Sequence, residues 1–256
     1  MIKFIIALTP KPLKRLIRSL IFSYTRFYAD RNSFARRMLA VNWNDYKKDL
    51  HPKDRRMKVL DDRGVRGMST ENVRFMVNEI VKRCAAGGVY LEVGMFQGCS
   101  LLSAAYGNLG TRCIGIDDFS QFNEGNKNEL ILKENLAKFP DHKNIETYNQ
   151  NYQKAIESIF GKEPGLKVDV YYYDGEHSYE NQMRGLEIIL PHLADKCVIL
   201  VDDINWTEVQ TANDHFIQNN PGFKSILRIK TKANQSADWW NGFEVIVRGK
   251  PAPQRR

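Results

Sequence analysis

The sequence has no long apolar run. No stretch of about 18 uncharged apolar residues occurs anywhere in the 256-residue chain, so we expect no membrane-spanning helix. The apolar stretch at residues 4–8 is too short for a signal-peptide core, and no small-residue cleavage site follows it. Internal repeats and low-complexity segments are also missing, which excludes a repeat array. A globular domain remains the expectation.

Cysteine is scarce as well. The four cysteines, at positions 84, 99, 113 and 197, form no Cys-x-x-Cys pair of the kind that binds zinc. Each lies in an apolar or strand-like stretch, so we expect buried, reduced thiols. That usage favours a cytoplasmic protein over a secreted one.

Basic residues are concentrated at one end of the chain. Residues 1–60 hold 15 Lys and Arg against 4 Asp and Glu, whereas the other 196 residues hold 23 against 26. The net charge of +8 therefore belongs to the N-terminal segment. A fold that binds nucleic acid over its whole surface is disfavoured for this reason.

The basic segment contains a predicted amphipathic helix over residues 11–28. Apolar residues recur there at helical spacing, with most Lys and Arg on the opposite side. Two interpretations stay open: the helix packs on the domain or on a second copy of the chain, or it lies in an anionic membrane surface, such as an inner leaflet. Nucleic-acid binding is less favoured, because the aromatic residues sit at core spacing. The apolar face comprises Leu13, Leu16, Ile17, Leu20, Ile21, Tyr24, Phe27 and Tyr28.

The sequence divides into three parts. We predict a basic helical extension at 1–60, a domain at 61–249 and a basic tail at 250–256. Within the domain, apolar strand-like runs alternate with helix-like segments, which predicts an α/β fold with a mostly parallel sheet and helices on both faces. Ligands of such sheets sit beyond the carboxyl ends of the strands. Strands are expected at 89–93, 113–116, 145–149, 168–173, 197–201, 223–230 and 242–248.

A glycine turn follows the first of these strands. Gly94 lets the backbone turn sharply, and Gly98 lets a ligand or another element approach closely. The turn leads into a helix whose free N–H groups suit the polar parts of a nucleotide-like cofactor. Many α/β proteins carry such a turn without binding anything there, so the motif alone is weak.

Asp117 ends the second strand and is a candidate ribose ligand. A carboxylate there can accept hydrogen bonds from both ribose hydroxyls of a nicotinamide dinucleotide or of S-adenosylmethionine. Asp118 is an alternative for that role. Phe96 stands where a dinucleotide turn has glycine, which disfavours the dinucleotide. Asp117 as a simple turn cap remains the structural alternative.

Three more acids and one histidine lie at later strand ends. Asp174, Asp202 and Asp203 would repel one another unless a cation lay between them, and all-oxygen ligation favours Mg²⁺, Mn²⁺ or Ca²⁺. The alternative is that Asp174 caps a turn and Asp203 caps a helix. His177, three residues after Asp174, is a candidate general base.

These motifs resemble a known family. Glu92-Val-Gly-Met-Phe-Gln-Gly-Cys-Ser100 is similar to the cofactor motif of metal-dependent O-methyltransferases of the catechol and caffeoyl-CoA type. The runs Tyr173-Asp-Gly-Glu-His-Ser-Tyr-Glu180 and Ile199-Leu-Val-Asp-Asp-Ile-Asn205 look more like the macrolide-sugar O-methyltransferases and related class I methyltransferases. The resemblance covers residues 68–248.

The resemblance implies a Rossmann-like class I methyltransferase fold, with a seven-stranded sheet whose last strand is antiparallel. It implies His177 as the base. Asp195-Lys196 replaces a usual Gly-Gly, and Asn151 stands near the expected adenine position, where relatives often carry an acid. The implied S-adenosylmethionine ligands are Glu92, Gly94, Gly98, Ser100, Asp117 or Asp118, and Asn151; the implied ligands of a divalent metal, most simply Mg²⁺, are Asp174, Asp202 and Asp203.

The resulting expectation is an S-adenosylmethionine-dependent, metal-dependent O-methyltransferase acting on a hydroxyl of a sugar, glycan or small polyol. Two other classes stay open. One is a nicotinamide-dependent oxidoreductase, and the other is a non-catalytic, membrane-associated binding module on a methyltransferase fold.

Overall fold

The computed structural model describes residues 55–249. The predicted helix at 11–28, most of the predicted extension and the predicted tail lie outside these residues. The strands are β1 (Val89–Val93), β2 (Arg112–Asp117), β3 (Ile145–Asn149), β4 (Val168–Tyr173), β5 (Leu193–Asp202), β6 (Phe223–Ile229) and β7 (Phe243–Arg248). The α-helices are α1 (Lys58–Asp62), α2 (Glu71–Cys84), α3 (Cys99–Ala105), α4 (Asn128–Ala137), α5 (Tyr152–Lys162), α6 (Tyr179–Ile189) and α7 (Thr207–Asn219).

The strands form one seven-stranded sheet in the order β3-β2-β1-β4-β5-β7-β6. β1 pairs in parallel with β2 and β4, and β5 continues the parallel set. β7 runs antiparallel to both β5 and β6. The predicted α/β fold and its antiparallel last strand are confirmed. The order reverses between β1 and β4, which is where ligands of such sheets bind.

Successive side chains of the central strands are buried on opposite faces of the sheet, and each face is covered by helices. Tyr171, Tyr173 and Ile199 point to one face and pack in a core with residues of α5, α6 and α7. Residues between them point the other way, and α2 and α3 cover that face. Burial on both faces explains why β4 and β5 read as near-continuous apolar runs.

Helix α2 shows how the local sequence starts and orients an element. Thr70 caps it, since its hydroxyl accepts a hydrogen bond from the Val73 amide. Val73, Val77 and Ile80 follow at spacings of three and four and are buried. The cap thus fixes where the chain leaves the loop at residues 64–70, which reaches the functional site.

Two local expectations need adjustment. β5 begins at Leu193 instead of position 197, and Asp195-Lys196 lies within the strand. An irregularity in the pairing with β4 accommodates this, between Val168 and Val170. Cys99, Cys113 and Cys197 are buried thiols as predicted, while Cys84 is partly exposed.

None of the helices within residues 55–249 has the length and hydrophobicity that crossing a bilayer requires.

Candidate active site

The turn after β1 depends on close approach of two strand ends. Gly94 has φ +92°, and a Cβ there would lie 1.9 Å from the Asp174 carbonyl oxygen. Any side chain would force β1 and β4 apart. Gly98 has φ +83° and directly precedes α3. The two predicted glycines therefore shape the turn, and Gly94 also lines the cavity described below.

Glu92 lies beneath this turn, 1% exposed. Its carboxylate accepts hydrogen bonds from the Ser100 hydroxyl at 3.0 Å and from the Tyr90 hydroxyl. Burial raises the pKa of Glu92 to about 8, although both hydrogen bonds oppose the shift. Glu92 supports the turn from below and does not line the cavity, whereas Ser100 does.

Asp117 organises the second strand end. One carboxylate oxygen accepts the Phe96 amide at 2.8 Å and the other accepts the Phe119 amide at 2.7 Å. Burial raises its pKa, while these two hydrogen bonds favour the charged form. Asp118 is exposed and accepts the Ser120 amide at 3.0 Å. The turn-cap interpretation of Asp117 therefore holds, and each oxygen keeps a lone pair for a ligand.

A cavity of about 420 Å³ opens at this edge of the sheet, within the size range of small-molecule sites. Loops after β1, β2, β3, β4 and β5 line it, together with the loop before α2 and the loop between β6 and β7. Of the predicted site residues, it is lined by Gly94, Ser100, Asp117, Asp118, Asn151, Asp174, His177 and Asp203. Glu92, Gly98 and Asp202 are set back from it.

Asn151 lies at the start of α5. Its side-chain oxygen accepts the Gln153 amide at 3.1 Å and caps the helix. The side chain is exposed and still lines the cavity. Asn151 therefore caps α5, and the adenine contact stays a prediction for the same side chain.

His177 and Asp203 form the one ion pair on the cavity wall within the described residues. His177 Nε2 lies 2.8 Å from Asp203 Oδ2, and Asp203 is 5% exposed. Burial lowers the pKa of His177, but the hydrogen bond and negative charge of Asp203 outweigh burial and raise it. The imidazole lies nearly parallel to the Trp206 indole, with an angle of 12° and 6.2 Å between ring centres.

The three predicted metal ligands do not converge as expected. Asp202 accepts hydrogen bonds from the Tyr172 hydroxyl and the Asp203 amide, both at 3.0 Å, and does not line the cavity. Within residues 55–249, no group of three His, Cys, Asp or Glu side chains is placed to hold a metal ion. The cause is local: the Tyr172 hydroxyl and the left-handed turn at Asp203, with φ +58°, hold the Asp202 carboxylate where it is.

Asp174 nevertheless has the chemistry of a cation ligand. In the described part of the chain its carboxylate has no hydrogen-bond donor, while Asp202 and Asp203 lie near enough to act on it electrostatically. Burial and these like charges raise the pKa of Asp174 well above its usual range. Asp174 and Asp203 together fit part of a divalent-cation site, and Asp202 would have to turn to complete it.

Several cavity residues carried no recognisable signal in the sequence. The Ser69 hydroxyl is buried, has no hydrogen-bond partner among residues 55–249, and lines the cavity. Trp206, Trp240 and Asn241 also line it. Ser69 precedes the predicted α2, and the Trp239-Trp240-Asn-Gly stretch indicated only a turn. Only their positions could have indicated them, since each residue lies directly before or after a strand or helix at the edge of the sheet where ligands bind.

Comparison with known proteins gives a family match for the central part of the chain. Residues 91–204 match the family described as a methyltransferase domain. No curated protein is significantly similar in sequence. Among solved structures, the O-methyltransferase from Bacillus cereus in complex with SAH aligns with a TM-score of 0.57 and 18% identity, covering 82% of this chain and 97% of that chain.

Two further solved structures agree in fold. The O-methyltransferase of tomaymycin synthesis from Streptomyces achromogenes, in complex with SAM, aligns with a TM-score of 0.56 and 13% identity, covering 80% of this chain and 94% of that one. A TDP-rhamnose 3'-O-methyltransferase of calicheamicin biosynthesis gives a TM-score of 0.52 and 15% identity, with 87% and 95% covered.

The matched segment runs from β1 through the end of β5, so it contains the glycine turn, Asp117, His177 and Asp203. The match does not favour the nicotinamide-dependent oxidoreductase. The match makes residues 91–204 a methyltransferase domain, and the strand order with its antiparallel β7 gives the described residues the fold of class I S-adenosylmethionine-dependent O-methyltransferases.

Proposed function

We propose that the chain transfers a methyl group from S-adenosylmethionine to a hydroxyl of a sugar, glycan or small polyol. One observation carries the proposal: the His177–Asp203 pair opens into the same cavity as Gly94 and Asp117. A base and a cofactor-type turn in one cavity are what methyl transfer to a hydroxyl needs. The solved neighbour that acts on TDP-rhamnose supports a sugar acceptor.

The cofactor would lie along the ends of β1 and β2. Asp117 would accept hydrogen bonds from the ribose hydroxyls on its remaining lone pairs, and Asn151 would contact the adenine. The Gly94 turn gives the methionine part room to pass close to the backbone. The neighbouring carboxylates of Asp174 and Asp203 would favour the positive sulfonium.

His177 would take the proton of the acceptor hydroxyl. Its Nε2–H donates to Asp203, so Nδ1, which has no partner among the described residues, is the basic nitrogen. The hydroxyl oxygen attacks the methyl carbon, the O–CH₃ bond forms, and the S–CH₃ bond breaks with its electron pair going to sulfur. S-adenosylhomocysteine leaves, and the proton stays on His177. The cavity contributes by aligning oxygen, carbon and sulfur.

Metal dependence is the second part of the proposal. Asp174 and Asp203 would hold Mg²⁺, with Asp202 completing the set after leaving Tyr172. A bound cation would stabilise negative charge on the acceptor oxygen as a Lewis acid. Asp203 would then serve both His177 and the cation, which the second lone pair on each of its oxygens permits.

The proton-acceptor role is tested by methyl transfer. Purified full-length protein is supplied with tritiated S-adenosylmethionine and a panel of methyl glycosides, inositols and catechols. His177→Ala should lower kcat on the best acceptor about 10²- to 10⁴-fold, since that is the usual contribution of a general base. Calorimetry should show S-adenosylhomocysteine binding unchanged.

His215→Ala is the matched control. His215 also contacts a hydroxyl, that of Tyr179 at 2.9 Å, but it lies outside the cavity. Its loss should leave turnover intact. An active His177→Ala enzyme would contradict the role of His177 as the base. Methylation of catechols alone within the panel would contradict the sugar acceptor.

The metal role is tested separately. In excess chelator the wild type should lose turnover and regain it with added Mg²⁺. Asp174→Ala should be inactive with or without Mg²⁺ while still binding S-adenosylhomocysteine, because the proposed cofactor contacts at Gly94, Asp117 and Asn151 do not use its carboxylate. Full activity in chelator would show that the pair of His177 and Asp203 works without a cation.

A further inference from the structure

The turn at residues 239–242 does more than join β6 to β7. Its sequence, Trp-Trp-Asn-Gly, is typical of a turn and carries no recognisable catalytic motif. In the structure, Asn241 lines the cavity beside Asp203, although the two residues are 38 positions apart. The proposed mechanism assigns no task to Asn241.

Both ends of the Asn241 amide are engaged. Its Nδ2 donates to Asp203 Oδ1 at 2.5 Å, and its Oδ1 accepts the Gln235 backbone N–H at 2.7 Å. The second contact fixes which end of the amide faces Asp203, since a flipped amide would oppose its NH₂ group to the Gln235 N–H. Asn241 therefore presents a donor to Asp203 in a fixed orientation.

The backbone that carries Asn241 is fixed as well. The Asn205 N–H donates to the Asn241 carbonyl at 2.8 Å, joining this turn to the loop that follows Asp203. Gly242 has φ +90°, and a Cβ there would lie 2.4 Å from Ile204 Cγ2 and 2.6 Å from the Ile229 carbonyl oxygen. Only glycine allows the turn to lie this close to the end of β5.

Asp203 needs such support. It directly follows β5 with φ +58°, in the left-handed region, and its carboxylate is shared by two partners. One oxygen accepts from Asn241 and the other contacts His177. Without Asn241 the carboxylate would be held on one side only and could rotate about its Cβ–Cγ bond, taking its contact with His177 along.

We propose that Asn241 is a positioning residue: it orients Asp203, and Asp203 in turn orients His177 toward the acceptor. The inference deepens the proposed function and rests on it. Residues that orient a catalytic group through one intermediate contact typically contribute about 10- to 100-fold to activity. Asn241 acts through its hydrogen bond to Asp203.

The test is a spectroscopic signature that needs no acceptor. In full-length protein labelled with ¹⁵N-histidine, the proton on His177 Nε2 should give a protected, downfield resonance, assigned by its loss in His177→Gln. Asn241→Ala should abolish that resonance through exchange with solvent. Asn234→Ala is the matched control, because Asn234 lies on the same loop and accepts a hydrogen bond from Asn205 without reaching Asp203.

Activity and cofactor binding complete the experiment. On the best glycoside of the panel, Asn241→Ala should lower kcat about 10- to 100-fold, with KM and S-adenosylhomocysteine affinity unchanged, while Asn234→Ala stays active. Asn241→Leu keeps the approximate size and removes the donor without adding a charge, so it should give the same losses and serves if the alanine variant does not fold.

The outcomes separate this inference from the proposed function. A persisting His177 resonance and full turnover in both Asn241 variants would overturn the positioning role. If His177→Ala is inactive in that case, the proposed function stands. An active His177→Ala would instead overturn the base itself, and the positioning role with it.

Discussion

At the scale of single residues, the cavity is built from backbone conformations that most side chains avoid. Phe96, Asp203 and Trp240 all have positive φ, between 46° and 58°, and all line the cavity. Each such residue costs about 1–2 kcal/mol relative to a relaxed backbone. Packing elsewhere in the domain offsets this cost, and the strain concentrates where a ligand is expected to bind.

Gly94 gives the sharpest residue-scale prediction. In Gly94→Ala, the new Cβ would overlap the Asp174 carbonyl and would require a strained φ of +92°. We expect the unfolding free energy, measured by urea denaturation, to fall by about 3 kcal/mol or more, since overpacking costs about 1–3 kcal/mol and a left-handed backbone about 1–2 kcal/mol. S-adenosylhomocysteine binding should weaken as well.

Gly87→Ala is the control for that substitution. Gly87 has φ +75°, but a Cβ at this position would meet no atom within 4 Å, so only the backbone cost of about 1–2 kcal/mol applies. Equal losses in the two variants would mean that the contact between β1 and β4 is not what requires glycine at position 94.

At the scale of elements, the sequence predicts where each strand lies better than it predicts where the side chains at the strand ends point. The seven strands lie close to their predicted ranges, because buried strands read as short apolar runs between turn signals. The edge where the acids gather was also predictable. The orientation of Asp202 was not, since it depends on Tyr172 and on the left-handed turn at Asp203. Asn241 was missed because its partner is distant in sequence.

The antiparallel β7 supplies the element-scale prediction. Its Glu244 is 0% exposed and accepts hydrogen bonds from Asn213 on α7 and Arg228 on β6, both at 2.8 Å. Glu244→Gln would oppose an NH₂ group to one of these donors. We expect a loss of about 1–3 kcal/mol in unfolding free energy, because a buried donor would be left unpaired.

Asp214→Asn makes the comparison specific, since Asp214 pairs with the same Arg228 but its side chain is 58% exposed. That change should cost less than about 1 kcal/mol. A larger loss for Asp214→Asn than for Glu244→Gln would show that the surface pair, and not the buried network, fastens the closing strands to α7.

At the scale of the whole molecule, charge separates the chain into two parts. Lys and Arg are in excess within residues 1–60, whereas acidic residues slightly outnumber basic ones in the rest of the sequence, which contains the methyltransferase domain. A local excess of this kind attracts anionic surfaces without drawing in the rest of the chain. We therefore propose the extension as an attachment segment and the domain as the part that carries out the reaction.

We propose that the predicted helix at 11–28 binds anionic membranes, and flotation tests this with the full chain. Wild type should float with vesicles containing phosphatidylglycerol, and high salt should weaken binding, because each basic residue near such a surface contributes about 1 kcal/mol of screened attraction. Leu20→Glu places a charge on the predicted apolar face and should abolish flotation. Ser19→Glu adds the same charge on the opposite side and should retain much of it. Equal behaviour of the two variants would instead favour a helix that packs on protein.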